Sequence, residues 1–165
     1  MKVRDVMRKQ VVSIAQNNTL SDIVRAFVEN HISMAPVVDA AERVVGLITV
    51  HDLADIFLPR YFDLLRDFAA LQDKGQLASL FDTAFMNFDR SQDNLILAAD
   101  IMKTHIDWVR DDDSLLQAAS RLQVQRQQRL PVIDRDRKLV GMLSDFEVIL
   151  ALLSGKPAGR MAARS

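Results

Sequence analysis

A shift of 95 residues lays one stretch of this chain on another without a gap, residues 3–57 on residues 98–152. Asp5-Val6-Met7 falls on Asp100-Ile101-Met102, and Thr19-Leu20 falls on Ser114-Leu115. Pro36-Val37-Val38-Asp39 falls on Pro131-Val132-Ile133-Asp134, and Val45-Gly46-Leu47-Ile48-Thr49 on Val140-Gly141-Met142-Leu143-Ser144. Identities are few, but volume and polarity are kept: Val against Ile, Arg against Lys, Thr against Ser, Asp against Glu. An internal repeat constrains the fold more than composition does, because each copy must bury the same face and neighbouring copies share the burial.

The periodicity of each copy gives its elements. Val11, Val12 and Ile14 form a short apolar run that reads as a strand. Thr19 offers a hydroxyl N-cap with Asp22 three residues on, and Ser114 with Gln117 repeats that spacing. Leu20, Ile23, Val24, Phe27 and Val28 then recur at helical spacing, as do Leu115, Ala118, Ala119 and Leu122. Ala35-Pro36-Val37-Val38-Asp39 is a β-branched run opened by proline, which a strand tolerates at its first residue. The polar stretches 39–43 and 134–138 are turns. Strands follow over 44–49 and 139–144, and helices over 50–57 and 145–153. The order is βαββα twice, an α/β (α+β) class. Neither copy carries enough apolar surface to close a core alone, so the two are expected to pack pseudo-symmetrically through their sheets.

Composition excludes several functions. The 165 residues include no cysteine, which removes disulfides, thiolate metal sites and cysteine nucleophiles. The formal net charge of −1 lacks the basic excess of a nucleic-acid binder. No apolar run approaches the roughly 20 residues of a membrane span. The first residues are charged and carry no apolar signal core, so a cytoplasmic location is expected. His31, His51 and His105 make no metal-ligand spacing, and no Gly-x-Ser-x-Gly elbow, Walker loop or dinucleotide fingerprint occurs. Asp111-Asp112-Asp113 precedes a helix start and reads as structural. No enzyme activity and no required cofactor are expected.

The order, spacing and duplication of Asp5-Val6-Met7, Ala35-Pro36-Val37-Val38-Asp39 and Gly46-Leu47-Ile48-Thr49-Val50-His51-Asp52-Leu53 resemble the CBS (cystathionine beta-synthase) domain. The second copy supplies Leu130-Pro131-Val132-Ile133-Asp134 and Gly141-Met142-Leu143-Ser144-Asp145-Phe146-Glu147-Val148. The resemblance implies a tandem pair, often called a Bateman module, that frequently forms a homodimer. It also implies clefts between the copies that take an adenosine-containing ligand such as AMP, ADP, ATP or S-adenosylmethionine and thereby regulate a partner protein. On that resemblance Thr49 faces a phosphate and Asp52 a ribose, Ser33-Met34-Ala35 meet the base through backbone groups, and Val11 and Val12 supply an apolar wall. Glycine would let the backbone approach the ligand. A strand end that opens a helix presents free N–H groups to a phosphate.

A plainer reading stands beside this one. Thr49-x-x-Asp52 is also a capping box, and so is Ser144-x-x-Glu147. His51 is either a phosphate contact or an exposed residue at a helix start. Trp108 is either packing or a stacking platform. In the second copy Ser144, Glu147, Arg129 and Leu130 are the candidate ligand contacts. There Glu147 is a methylene longer than aspartate and Asp145 adds an unfavourable charge, which Arg129 and His105 could offset. One occupied and one degenerate cleft is the preferred picture.

The domain boundaries expected are 1–57 and 98–153 for the two copies, 58–97 for an insert and 154–165 for a flexible tail. Tyr61, Leu64, Leu65 and Phe68 fall on one helical face, and Leu77, Leu80, Phe81, Ala84, Phe85 and Phe88 on another. The insert therefore reads as a helical hairpin turning near Gly75. Its aromatic face packs on its own module, on a second copy or on a partner. Its acidic residues argue against a membrane.

Overall fold

The computed structural model describes residues 1–56, 95–125 and 127–155. A 3₁₀ turn at Val3–Asp5 leads into β1 (Ile14–Ala15), α1 (Leu20–Glu29), β2 (Met34–Val38) and β3 (Val44–Thr49), and residues 50–56 are helical, here α2. A short α3 (Ala98–Ile101) then precedes β4 (Val109–Arg110), α4 (Leu115–Val124), β5 (Arg129–Ile133), β6 (Leu139–Ser144) and α5 (Asp145–Ser154). The expected hairpin lies outside the described residues except at Leu95, Ile96 and Leu97, and the expected tail does so except at Ser154 and Gly155.

Each copy is a three-stranded sheet in the order β1-β2-β3 or β4-β5-β6. The first pair is parallel, Ile14 opposite Val37 and Val109 opposite Val132. The second is antiparallel, Met34 opposite Thr49 and Arg129 opposite Ser144. Both antiparallel ladders slip by one residue at the same place, between Val37 and Val38 and between Val132 and Ile133. The repeat therefore persists down to a bulge.

The first strand of the first copy is shorter than its apolar run. Val11 and Val12 are not in a strand, which holds only Ile14 and Ala15. Nor does Pro36 open its strand: β2 starts two residues earlier, at Met34. Leu47, opposite Pro36, exchanges both backbone hydrogen bonds with Lys103 and so turns them away from β2. Pro36 is therefore a non-hydrogen-bonded position of that ladder, and on its other side β1 has not begun. The missing N–H costs nothing there.

Thr19 caps α1 as its spacing predicts, accepting from the Asp22 N–H while Asp22 accepts from the Thr19 N–H. Leu20, Ile23 and Phe27 are buried, but Val28 faces solvent. Ser114 makes no side-chain cap, so the box expected with Gln117 is absent, and both side chains are exposed. Of the aspartates before it, Asp113 shapes the turn by accepting from the Arg110 N–H, and Asp112 pairs with Arg135.

The core of each copy is completed by the other copy. Val3 and Val6, from the first repeat, are buried with Val109, Leu115, Leu122, Leu130, Val132 and Leu143 of the second. Ala98, with Ile101 and Met102 beside it, packs with Ile14, Leu20, Ile23, Phe27, Val37 and Ile48 of the first. The backbone fixes these exchanged arms. Arg8 bridges Met142 in β6, and Lys103 bridges Leu47 in β3. Asp5 and Asp100 brace them by accepting from the Lys2 and Leu97 N–H groups. Burying Val3 and Val6 stabilises the second core by about 1.5–3 kcal/mol per side chain.

Arg43 and Lys138, equivalent positions, bridge each other across the pseudo-two-fold axis. Beside them Glu42 and Arg137 hold left-handed backbone, φ 61° and 64°. Their carbonyls accept from Leu139 and Val44 of the opposite copy.

Candidate functional site

β3 ends at Thr49, where α2 begins. The Asp52 carboxylate turns back on this junction: its Oδ2 accepts from the Thr49 N–H at 2.8 Å and the Thr49 hydroxyl at 2.6 Å. The Asp52 N–H donates to Thr49 Oγ1 at 3.3 Å. The capping box anticipated from the sequence is formed. Its consequence is that one carboxylate oxygen is fully committed within the box.

The other oxygen, Oδ1, lies 2.8 Å from the Lys103 ammonium. Asp52 is 7 % exposed and Lys103 62 %, so a buried carboxylate meets a solvated cation. Burial pushes the Asp52 carboxyl up, but the Lys103 ammonium and the Thr49 hydrogen bonds together hold it below the ordinary carboxylate range. Asp52 in turn raises Lys103, through the hydrogen bond and its charge.

β2 brings the other residues singled out in the first copy beside this junction. Met34 is paired with Thr49, and the Val50 N–H donates to the Ser33 carbonyl at 2.9 Å. Ser33 is exposed and Met34 half-buried, and both flank the strand end. Ala35 is fully buried and paired with Ile48. Its backbone groups face that strand, because alternate residues of β3 bond to β2. His51 is exposed on α2. Val11 and Val12 lie half-buried on the crossing segment between the Arg8–Met142 bridge and β1.

The second copy repeats the arrangement with different side chains. Glu147 Oε2 accepts from the Ser144 N–H at 2.9 Å and from the Ser144 hydroxyl. Its Oε1 holds the Arg8 guanidinium at 3.2 Å. Arg129 stands opposite Ser144 and is exposed, with Leu130 buried next to it, and the Asp145 N–H donates to the Gln128 carbonyl. Backbone register thus places Arg129 beside Ser144. His105 is exposed, and Trp108 is half-buried with its carbonyl accepting from Arg121.

Both glycines of the motif have a role not anticipated. A Cβ at Gly46 would lie 2.5 Å from Met102 Sδ, and one at Gly141 would lie 2.7 Å from Met7 Sδ. In each copy the bare glycine face is covered by the methionine of the opposite arm. The four residues that sequence reasoning missed here are Met7, Arg8, Met102 and Lys103. A signal was present: the methionine is followed by a cation in both copies.

Two linked half-sites, each a strand end that opens a helix and carries a capping carboxylate, define a paired-repeat module. The chain belongs to the CBS domain family, whose model matches it twice, at residues 3–59 and 98–154. It is similar to protein MJ1426 of Methanocaldococcus jannaschii, 26 % identical over 93 % of this chain and 92 % of that one. It is also 26 % identical to MJ1232 of the same organism, of which it spans 40 %. The structure of CBSX2 in complex with AMP superposes with a TM-score of 0.64, at 26 % identity over 93 % of this chain and 96 % of that one. No helix among the described residues is long and apolar enough to cross a membrane.

Proposed function

We propose that this chain is a regulatory module that senses an adenosine-containing nucleotide in the cleft at Thr49 and Asp52 and thereby modulates a partner protein. The observation that carries the reading is the juncture of β2, β3 and α2. There Ser33, Met34, Thr49 and Asp52, far apart in sequence, meet at one helix start. The likeness to CBSX2, which was solved with AMP, supports the ligand class. In this arrangement the ribose hydroxyls approach Asp52, the 5′ substituent lies toward Thr49, and the base lies along Ser33 and Met34. The second cleft, with Arg129, Ser144 and Glu147, is the weaker site, since Asp145 adds a negative charge beside Ser144.

The test is thermal shift with AMP, ADP, ATP and S-adenosylmethionine. A ligand at a hundred times its Kd adds about 2.7 kcal/mol to stability. Thr49→Ala and Asp52→Ala weaken binding while the fold is retained. A second reading, a scaffolding module acting through the insert at 58–97, is favoured by one observation: both Asp52 oxygens already hold donors of the protein itself. No shift with any of the four ligands decides for scaffolding.

A further inference from the structure

We propose that Lys103 sets the ligand preference of the first cleft, selecting adenosine ligands with an anionic 5′ substituent over neutral or cationic ones. The inference rests on the reading just given and names the residue that separates AMP-like from S-adenosylmethionine-like ligands.

Asp52 Oδ2 is occupied by two donors of Thr49, so a ribose diol is left with Oδ1. That oxygen holds the Lys103 ammonium at 2.8 Å. A ligand must therefore share or displace this cation. Lys103 can release Asp52 readily, because its side chain is mostly solvated and loses little on swinging away. It cannot leave the cleft. Its N–H and carbonyl are both bonded to Leu47, two residues before Thr49, and the preceding Met102 is seated against Gly46. The freed ammonium stays within reach of its four-carbon stem beside the end of β3, where the proposed pose puts the 5′ substituent. A phosphate accepts it and restores the lost ion pair. Adenosine restores nothing. The sulfonium of S-adenosylmethionine meets a like charge. The other titratable groups near this end of α2 are Asp55 and the exposed His51, and no second salt bridge to Asp52 occurs among the described residues.

The experiment is calorimetric titration of AMP, adenosine and S-adenosylmethionine into the wild-type chain and into K103M, which keeps the stem length and the backbone bridge. K103Q serves as a second variant, and R8M is the matching change at the Glu147 half-site. In K103M adenosine and S-adenosylmethionine are expected to bind about fivefold more tightly, the factor that 1 kcal/mol gives, while AMP gains nothing. The AMP-to-adenosine preference of the tighter site then falls in K103M and K103Q, whereas R8M acts only on the weaker site at Glu147. Unchanged preferences in both Lys103 variants, with AMP still bound, overturn the inference and leave the sensing function standing. A change in R8M alone moves the selectivity to the other cleft and also overturns it. Failure of all three ligands to bind any variant overturns it together with the function on which it rests.

Discussion

Adding one methyl group at either motif glycine tests how the two copies are joined. At Gly141 a Cβ would lie 2.7 Å from Met7 Sδ and 2.9 Å from the Arg8 carbonyl oxygen. That carbonyl cannot retreat freely, because it accepts from the Met142 N–H at 2.9 Å. At Gly46 the three nearest atoms all belong to the Met102 side chain, at 2.5, 2.8 and 3.0 Å. A thioether chain can rotate, though its Cβ cannot. Overpacking of this kind costs about 1–3 kcal/mol, and the backbone clash puts Gly141→Ala at the upper end. The loss of unfolded-state freedom on replacing glycine offsets about 0.4–1 kcal/mol in each case. The expected net is about 2 kcal/mol for Gly141→Ala and about 1 kcal/mol for Gly46→Ala. Urea unfolding at constant m-value reads both. The discriminating step is a double-mutant cycle: Met102→Ala should rescue most of the Gly46→Ala loss, whereas Met7→Ala should rescue Gly141→Ala only in part. If Gly141→Ala is as stable as wild type, or Met7→Ala restores it fully, the arm does not lie against β6 as described.

Further outcomes follow from other contacts. Asp52 titrates below its unfolded value, so its contribution to stability is complete above about pH 4 and is lost as pH falls through its folded value. Asp52→Asn should therefore flatten the acid limb of a plot of urea midpoint against pH. A limb as steep as that of wild type would refute the pairing with Lys103. Replacing Thr49 with alanine removes the cap and should cost about 1 kcal/mol in chemical denaturation, separately from any effect on ligand. Val6→Ala, at a site 2 % exposed, should destabilise the second copy by about 1–3 kcal/mol although Val6 belongs to the first in sequence. Amide exchange that quickens in β5 and β6 rather than β2 and β3 would support it, and the reverse would contradict it. A fragment of residues 1–57 should lack a cooperative transition by circular dichroism, since Ala98 and Met102 are missing from its core.

Much of this architecture could be read from the residues because local chemistry decides it. The strand-helix order, the Thr19 box and the Thr49 and Ser144 boxes depend on neighbours three or four positions away, and the repeat shows itself by laying one stretch of sequence on the other. What could not be read is which sheet each arm joins. Val3 and Val6 are apolar in either assignment, and periodicity tells a side chain's face but not its partner. The same limit explains Gly46, which suggested room for a ligand and instead receives a methionine 56 positions later. Val11 and Val12 looked like strand because apolar β-branched runs do, yet parallel pairing with β2 begins only at Ile14. Ser114 had the right spacing for a box and made none; the turn before it is closed by Asp113, which accepts from the Arg110 N–H. Lys103 was invisible as a site residue because its reach to Asp52 crosses from one copy to the other.

The exchanged arms bear on what a single copy would do if made alone. Its own sheet would stand bare where a neighbour's Asp-x-Met segment belongs, and its own segment would hang free. A first half and a second half satisfy each other by trading arms, so a reciprocal complex of the two unlike halves is the state this geometry favours. Halves made separately and then mixed should associate, held by valines and methionines rather than by the peptide chain.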